Sequence, residues 1–177
     1  MSKIREKHIK FIEEMHKKIQ DNFVRDGFLA PVAFIIGFDG KVGVVGCDGF
    51  GQAEHKEVFV EAIKQTAVEA KAIGVIFASE SWLIKLNDKN RKKVIKAYKD
   101  ANGDLGECPQ REEIILVYEE YLDGIMQTKY DIKRGEKISL VAHKPQEIKE
   151  SSYEGRFTNL LNKPNFDEMV IGVGGKK

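Results

Sequence analysis

Glu80, Trp82, Arg111 and Glu113 are the side chains whose types and placement first suggest chemistry. Glu80 stands just past the apolar run Val75-Ile76-Phe77-Ala78 and two residues before the sole tryptophan, Trp82. Arg111 and Glu113 open the next apolar run. If the two runs are neighbouring strands, Glu80 and Arg111 form a charge-assisted pair beside the indole. The four residues are a candidate recognition cluster. The competing reading is a structural ion pair with a packed indole, and either reading expects Trp82 to be at least partly buried with its indole N–H satisfied.

Other constellations fall short of a site. Gly46, Gly49 and Gly51 lie between a strand and a helix, where backbone N–H groups cradle phosphates, but neither G-x-G-x-x-G nor Gly-Lys-Ser/Thr is present. Asp100-Ala101-Asn102-Gly103-Asp104 alternates oxygen ligands like a calcium loop, yet Leu105 and Arg111 occupy the positions that require Gly and Glu. His8, His16, His55 and His143 show no metal-ligand spacing, and Cys47 and Cys108 lack a C-x-x-C companion. The cysteines read as reduced thiols at partly buried positions. No G-x-S-x-G elbow occurs. No catalytic residue, cofactor-binding residue or metal ligand is assigned, and no cofactor is expected. Lys89 to Lys99 is strongly basic but has only Tyr98 for stacking, so it reads as a solvated helix face, with nucleic-acid binding the weaker reading.

The elements that position these residues follow from periodicity. Ile4, Phe11, Ile12, Met15, Ile19 and Phe23 predict one amphipathic helix over residues 3–24, closed by Asp26-Gly27. Leu29 to Ile36, with Pro31 at its start, predicts a buried strand. Asp39-Gly40 then turns it into Val42, Val44 and Val45 as a hairpin. Phe59, Ile63, Thr66, Ala70 and Ile73 predict a second helix from Gln52 to Ala72, ended by Gly74, and Val75–Ala78 predicts a central strand. Arg111–Tyr121, Ile125–Ile132 and Ile138–Val141 predict a three-stranded antiparallel meander.

The fold class expected is therefore α+β: helix, β-hairpin, helix, strand, then meander, in one mixed sheet covered by helices. The organisation expected is a single domain over 1–177, with a basic surface insertion at about 85–106 and a frayed C-terminal tail. At 177 residues, 42% hydrophobic and 32% charged, the composition is that of a globular protein. Its net charge of +1 gives no global field toward nucleic acid or an anionic membrane. No apolar stretch approaches the length of a membrane span, and the charged N-terminus does not read as a signal peptide, so a cytoplasmic location is expected.

Two resemblances add to this reading. Phe77-Ala78-Ser79-Glu80-Ser81-Trp82 and Pro109-Gln110-Arg111-Glu112-Glu113 resemble a recurring pattern in small, uncharacterised bacterial and phage-type α/β domains of unknown function, which implies a prokaryotic setting and no activity. Helix, hairpin, then a helix opening at Gln52-Ala53-Glu54 is similar to the start of the cytidine-deaminase-like fold. That family has a His or Cys ligand where Gln52 stands and a Pro-Cys-x-x-Cys pair where Cys108-Pro109 offers one thiol. The resemblance implies Glu54 as a relic of a general base, with no zinc site of that kind.

The function expected is a cytoplasmic binding or interaction module without catalysis of its own. It would engage an unknown protein partner, or itself, through the first helix or the Glu80, Trp82, Arg111 region. The alternative is a hydrolase or deaminase-like enzyme, or a degenerate relative of one, with chemistry near Glu54, His55 or Cys108.

Overall fold

A computed structural model describes residues 2–49, 53–84, 89–100, 111–148 and 160–161. The expected amphipathic helix is present in two pieces, α1 (Lys3–Lys7) and α2 (Ile9–Asp26). The break falls at His8, whose φ of −107° and ψ of 14° leave the helical region. Its physical cause is a tether outside the helix. The Asp123 carboxylate accepts from Lys3 N (2.7 Å), Ile4 N (3.2 Å) and the Ser2 hydroxyl, so the direction of the first turn is set by the sheet. Ser2 Oγ in turn caps Arg5 N at 3.0 Å.

In α2, Ile12, Met15, His16, Ile19 and Phe23 are buried at spacings of three and four, one helical stripe. Fully burying an Ile or Phe of this kind contributes roughly 1.5–3 kcal/mol. The helix ends at Gly27, whose φ of 77° is the left-handed cap that glycine adopts without a Cβ penalty, with its N–H bonded to Phe23 O at 2.8 Å.

The hairpin pairs β1 (Val32–Gly37) with β2 (Val42–Gly46) through the Asp39-Gly40 turn. Helix α3 (Ala53–Glu69) follows, then β3 (Ala72–Leu83), α4 (Arg91–Asp100), β4 (Glu112–Tyr121), β5 (Gly124–Arg134), β6 (Ile138–Ala142) and the short β7 (Gln146–Glu147). The sheet order is β2-β1-β3-β4-β5-β6, with β7 also paired to β5. The architecture is α+β as expected, with β7 as an additional strand.

Two expectations are corrected. The sheet is not mixed: every pairing among the described residues is antiparallel. The crossover through α3 does leave β2 and β3 pointing the same way, but β1 inserts between them. The second helix ends at Glu69, before Ala72 and Gly74, because Lys71 takes a φ of 47° and turns the chain directly into β3. Gly74 lies inside that strand, opposite Tyr121.

Alternation sorts the sheet into two cores. One face packs Ile36, Ile76, Ile115, Val117, Tyr121, Tyr130 and Ile132 against α2. The other packs Ala33, Ile35, Val75, Phe77 and Tyr118 against Phe59, Val60, Ile63 and Ala67 of α3. Leu160 and Leu161 join this second core, from a segment whose polar character suggested no core role. In α4, Val94 is buried while Ile95 and Tyr98 stay exposed and the lysines line the outer surface. The rest of the expected insertion and the C-terminal tail lie outside the described residues. No described helix is long and apolar enough to cross a membrane.

Gly74 has a steric reason. A Cβ there would stand 2.8 Å from Tyr121 Cδ1, and Tyr121 is fully buried. Gly74→Ala is expected to destabilise the fold by about 1–3 kcal/mol through overpacking. Gly43→Ala, whose Cβ would meet Thr66 Cγ2 at an acceptable 3.4 Å, is expected to cost distinctly less. Paired urea unfolding curves measure the difference.

Candidate functional site

Strand β3 runs past the apolar stretch to Leu83, so Glu80 and Trp82 continue the face that carries Ile76 and Ala78. Glu80 pairs in register with Ile115, and Trp82 with Glu113. Helix α2 has ended by this level, and the face opens to solvent. The four predicted residues are thus brought to one end of the sheet, in contacts other than those expected.

Glu80 is engaged by Arg134 of β5, while Arg111 lies elsewhere. Glu80 Oε1 accepts from Leu29 N at 2.5 Å, and Oε2 is 3.9 Å from the Arg134 guanidinium. Arg134 Nε donates to Glu113 at 2.6 Å, and Nη1 donates to Gly27 O at 3.1 Å. Its guanidinium also lies 5.6 Å from the Phe23 ring centroid. Arg134 therefore caps the C-terminal end of α2, where a cation is favoured by the helix dipole, and Glu80 fixes the loop leading into β1. Sequence reasoning missed Arg134. Its only signal was a basic residue at the end of the second meander strand, beside a Gly turn.

Arg111 instead lies over Trp82, with its guanidinium carbon 4.9 Å from the ring centroid. Trp82 is 41% exposed, so the indole is partly buried, as expected. At the same end of the sheet, a cavity of ≈ 290 Å³ is lined by Arg111, Glu112, Glu113, Lys133 and Arg134 among others. The end of the sheet thus carries mixed charge around an indole with a cation on its face.

At the other end of β4, on the same α2-facing side, a second polar group is wholly enclosed. Glu119 is 0% exposed. Its Oε2 accepts from Arg5 Nε at 2.8 Å and from Tyr121 Oη at 2.6 Å, and its Oε1 lies 3.1 Å from His16 Nε2. Tyr130 Oη is 2.5 Å from His16 Nδ1. A carboxylate only accepts, so His16 Nε2 is the donor to Glu119. Burial opposes ionisation of Glu119. The hydrogen bonds from His16, Arg5 and Tyr121 outweigh it and take its pKa from 4.5 down to about 2. Burial, reinforced by the charge of Glu119, pushes Tyr130 up to about 12 and Tyr121 higher still. Both phenols therefore stay protonated and serve as donors.

Glu120, the next residue, is equally buried on the opposite face. It accepts from Leu160 N (2.9 Å), Leu161 N (3.2 Å) and Tyr118 Oη (3.2 Å). Neither glutamate nor His16 was singled out from sequence. The available signal was two adjacent carboxylates between Tyr118 and Tyr121 in a strand apolar on both faces, where one at least must be buried.

Of the residues named for an enzymatic reading, Glu54 and His55 are among the described residues. Glu54 and His55 are exposed in the first turn of α3. His55 and the free, partly buried Cys47 line one cavity of ≈ 340 Å³ between the end of β2 and α3. Gln52, Cys108 and most of the 100–104 loop lie outside the described residues. Among the described residues no cluster of three or more His, Cys, Asp or Glu side chains is placed to hold a metal ion.

The Glu119 network makes stability pH-dependent with a fixed sign. Its folded pKa is depressed, so its contribution is complete above pH 4.5 and is lost as the pH falls toward about 2. Urea unfolding at a series of acidic pH values is expected to show that loss, and Glu119→Gln is expected to flatten it. Asp123 and Asp131, also held low by their partners, leave a residual slope. Arg5→Ala at neutral pH is expected to cost about 3–5 kcal/mol, because it leaves a buried carboxylate without its cation.

Comparison with family models, with curated proteins and with solved structures finds no match to this chain, so its own geometry carries the functional reading.

Proposed function

We propose that the chain is a recognition module, without catalysis of its own, that engages a protein or peptide partner at the Trp82–Arg111 end of the sheet. The observation that carries this reading is the 41% exposed indole held on a strand with a guanidinium across its face. Exposed Trp and Arg are the side chains most often responsible for binding energy at interfaces. An indole whose backbone is fixed in a sheet and whose ring is covered on one side loses little further freedom on binding. Glu113, in register with Trp82, and its ion-pair partner Arg134 supply charged groups on the same face.

The contrast with the Glu119 network supports the choice. There, carboxylate, imidazole, guanidinium and two phenols satisfy one another inside the protein, an arrangement suited to holding the fold. The same proposal places the module in a reducing, cytoplasmic setting, for which the free thiol of Cys47 speaks. The bacterial and phage-type resemblance of the Trp82 and Arg111 segments favours a prokaryotic one.

Affinity capture from the native host, with the partner then purified and its Kd measured by titration, tests the proposal. Trp82→Ala and Arg111→Ala are each expected to weaken binding about tenfold or more while leaving the thermal midpoint nearly unchanged. Ile95→Ala, on the exposed side of α4, is expected to bind like the wild type. A partner bound equally by all four proteins would remove this surface as the recognition site.

A further inference from the structure

The sheet has one edge whose hydrogen-bonding groups and side chains are matched to themselves. In the hairpin, Gly37 N bonds to Lys41 O at 2.8 Å and Cys47 N bonds to Pro31 O at 3.2 Å. With the register Ile35↔Gly43 and Ala33↔Val45, the odd-numbered residues of β2 thus direct their N–H and C=O groups toward β1. Val42, Val44 and Gly46 direct theirs outward, and among the described residues β2 pairs with β1 alone.

The devices that usually protect an edge are missing from this strand. Residues 42–46, Val-Gly-Val-Val-Gly, contain no charge and no proline, and the β1–β2 register is free of bulges. Val44 is 62% exposed and Val42 39% on one face, and on the other side Val58 of α3 is 71% exposed beside the Val45–Phe59 cavity. At the opposite edge, Ile138 and Leu140 of β6 pack into the α2-side core.

We propose that two copies of the chain join edge to edge through β2, antiparallel, about a twofold axis beside Val44. A twofold perpendicular to the sheet keeps each face continuous and pairs Val44 with Val44 and Val42 with Gly46 of the second copy. In all these pairings the outward N–H and C=O groups meet as hydrogen-bonded pairs. Each Val42 side chain faces a glycine, which leaves room for it, and no like charges are opposed. A strand pair of this length falls short of the roughly 1,000 Å² that a stable interface buries. The exposed valines on both faces supply the rest, Val42 and Val44 on one and Val58 on the other. The second copy is favoured over a foreign strand because the outward groups are symmetric about Val44 and the edge offers no charge by which to select another sequence.

Sedimentation velocity of the full chain at tens of micromolar tests this. The wild type is expected at twice the 20.1 kDa mass of one chain. Val44→Lys and Val44→Glu, at an exposed position, are each expected to fold by circular dichroism and to sediment as monomers, since each opposes like charges at the axis. An equimolar mixture of the two is expected to restore the dimer, because position 44 then pairs Lys with Glu. A monomeric wild type overturns the proposal, including the case in which β2 amides resist hydrogen exchange because another segment of the same chain covers the edge. A Val44→Lys protein that remains dimeric, or a mixture that stays monomeric, overturns it equally.

Discussion

The adjacent glutamates of β4 set the main constraint on this fold. Side chains alternate along a strand, so Glu119 and Glu120 point to opposite faces of the sheet, and both are 0% exposed. Burying two carboxyl groups in a central strand is costly unless each finds donors. The donors come from far along the chain. Glu119 draws Arg5 and His16 from the N-terminal helices, together with Tyr121. Glu120 draws the amides of Leu160 and Leu161. One strand thereby fixes the N-terminal segment on one face and a late segment on the other. Other features follow: α1 bends at His8 to bring Arg5 to Glu119, Asp123 holds its first turn, and Gly74 leaves space for the ring of Tyr121.

The parts of this arrangement legible in the sequence are those governed by local pattern. The stripe Ile12, Met15, Ile19 and Phe23 specifies α2 and its buried face, and Asp39-Gly40 specifies the hairpin. The meander follows from three apolar runs separated by short turns. What local pattern does not carry is partnership across long separations. His16 falls on the buried stripe between Met15 and Ile19, but nothing near it announces a carboxylate 103 positions away. Gly74 reads as a helix stop because a lone glycine after a periodic run usually is one; its actual role depends on Tyr121, which only the β3–β4 register brings opposite. Strand direction was misread for a related reason, since a helical crossover suggests parallel neighbours unless another strand is known to lie between them.

The candidate site shows the same division. Glu80, Trp82, Arg111 and Glu113 were recognisable as a group because β3 and β4 are adjacent, which their apolar runs already suggested. Their pairing was not, because Arg134 arrives from β5 and competes for both carboxylates. Arg134 also bonds to Gly27 O at the end of α2 and lies on the Phe23 ring.

That competition separates residues that hold the fold from those proposed for recognition. With Arg134 and Glu80 closing the α2 terminus and the loop into β1, the ion pair expected beside Trp82 is withdrawn from the indole. The Arg111 guanidinium carbon lies over the Trp82 ring, 4.9 Å from its centroid. The open end of the sheet is therefore anchored by the cap that Arg134 makes on α2, and Glu80 and Glu113 are both engaged by that same guanidinium.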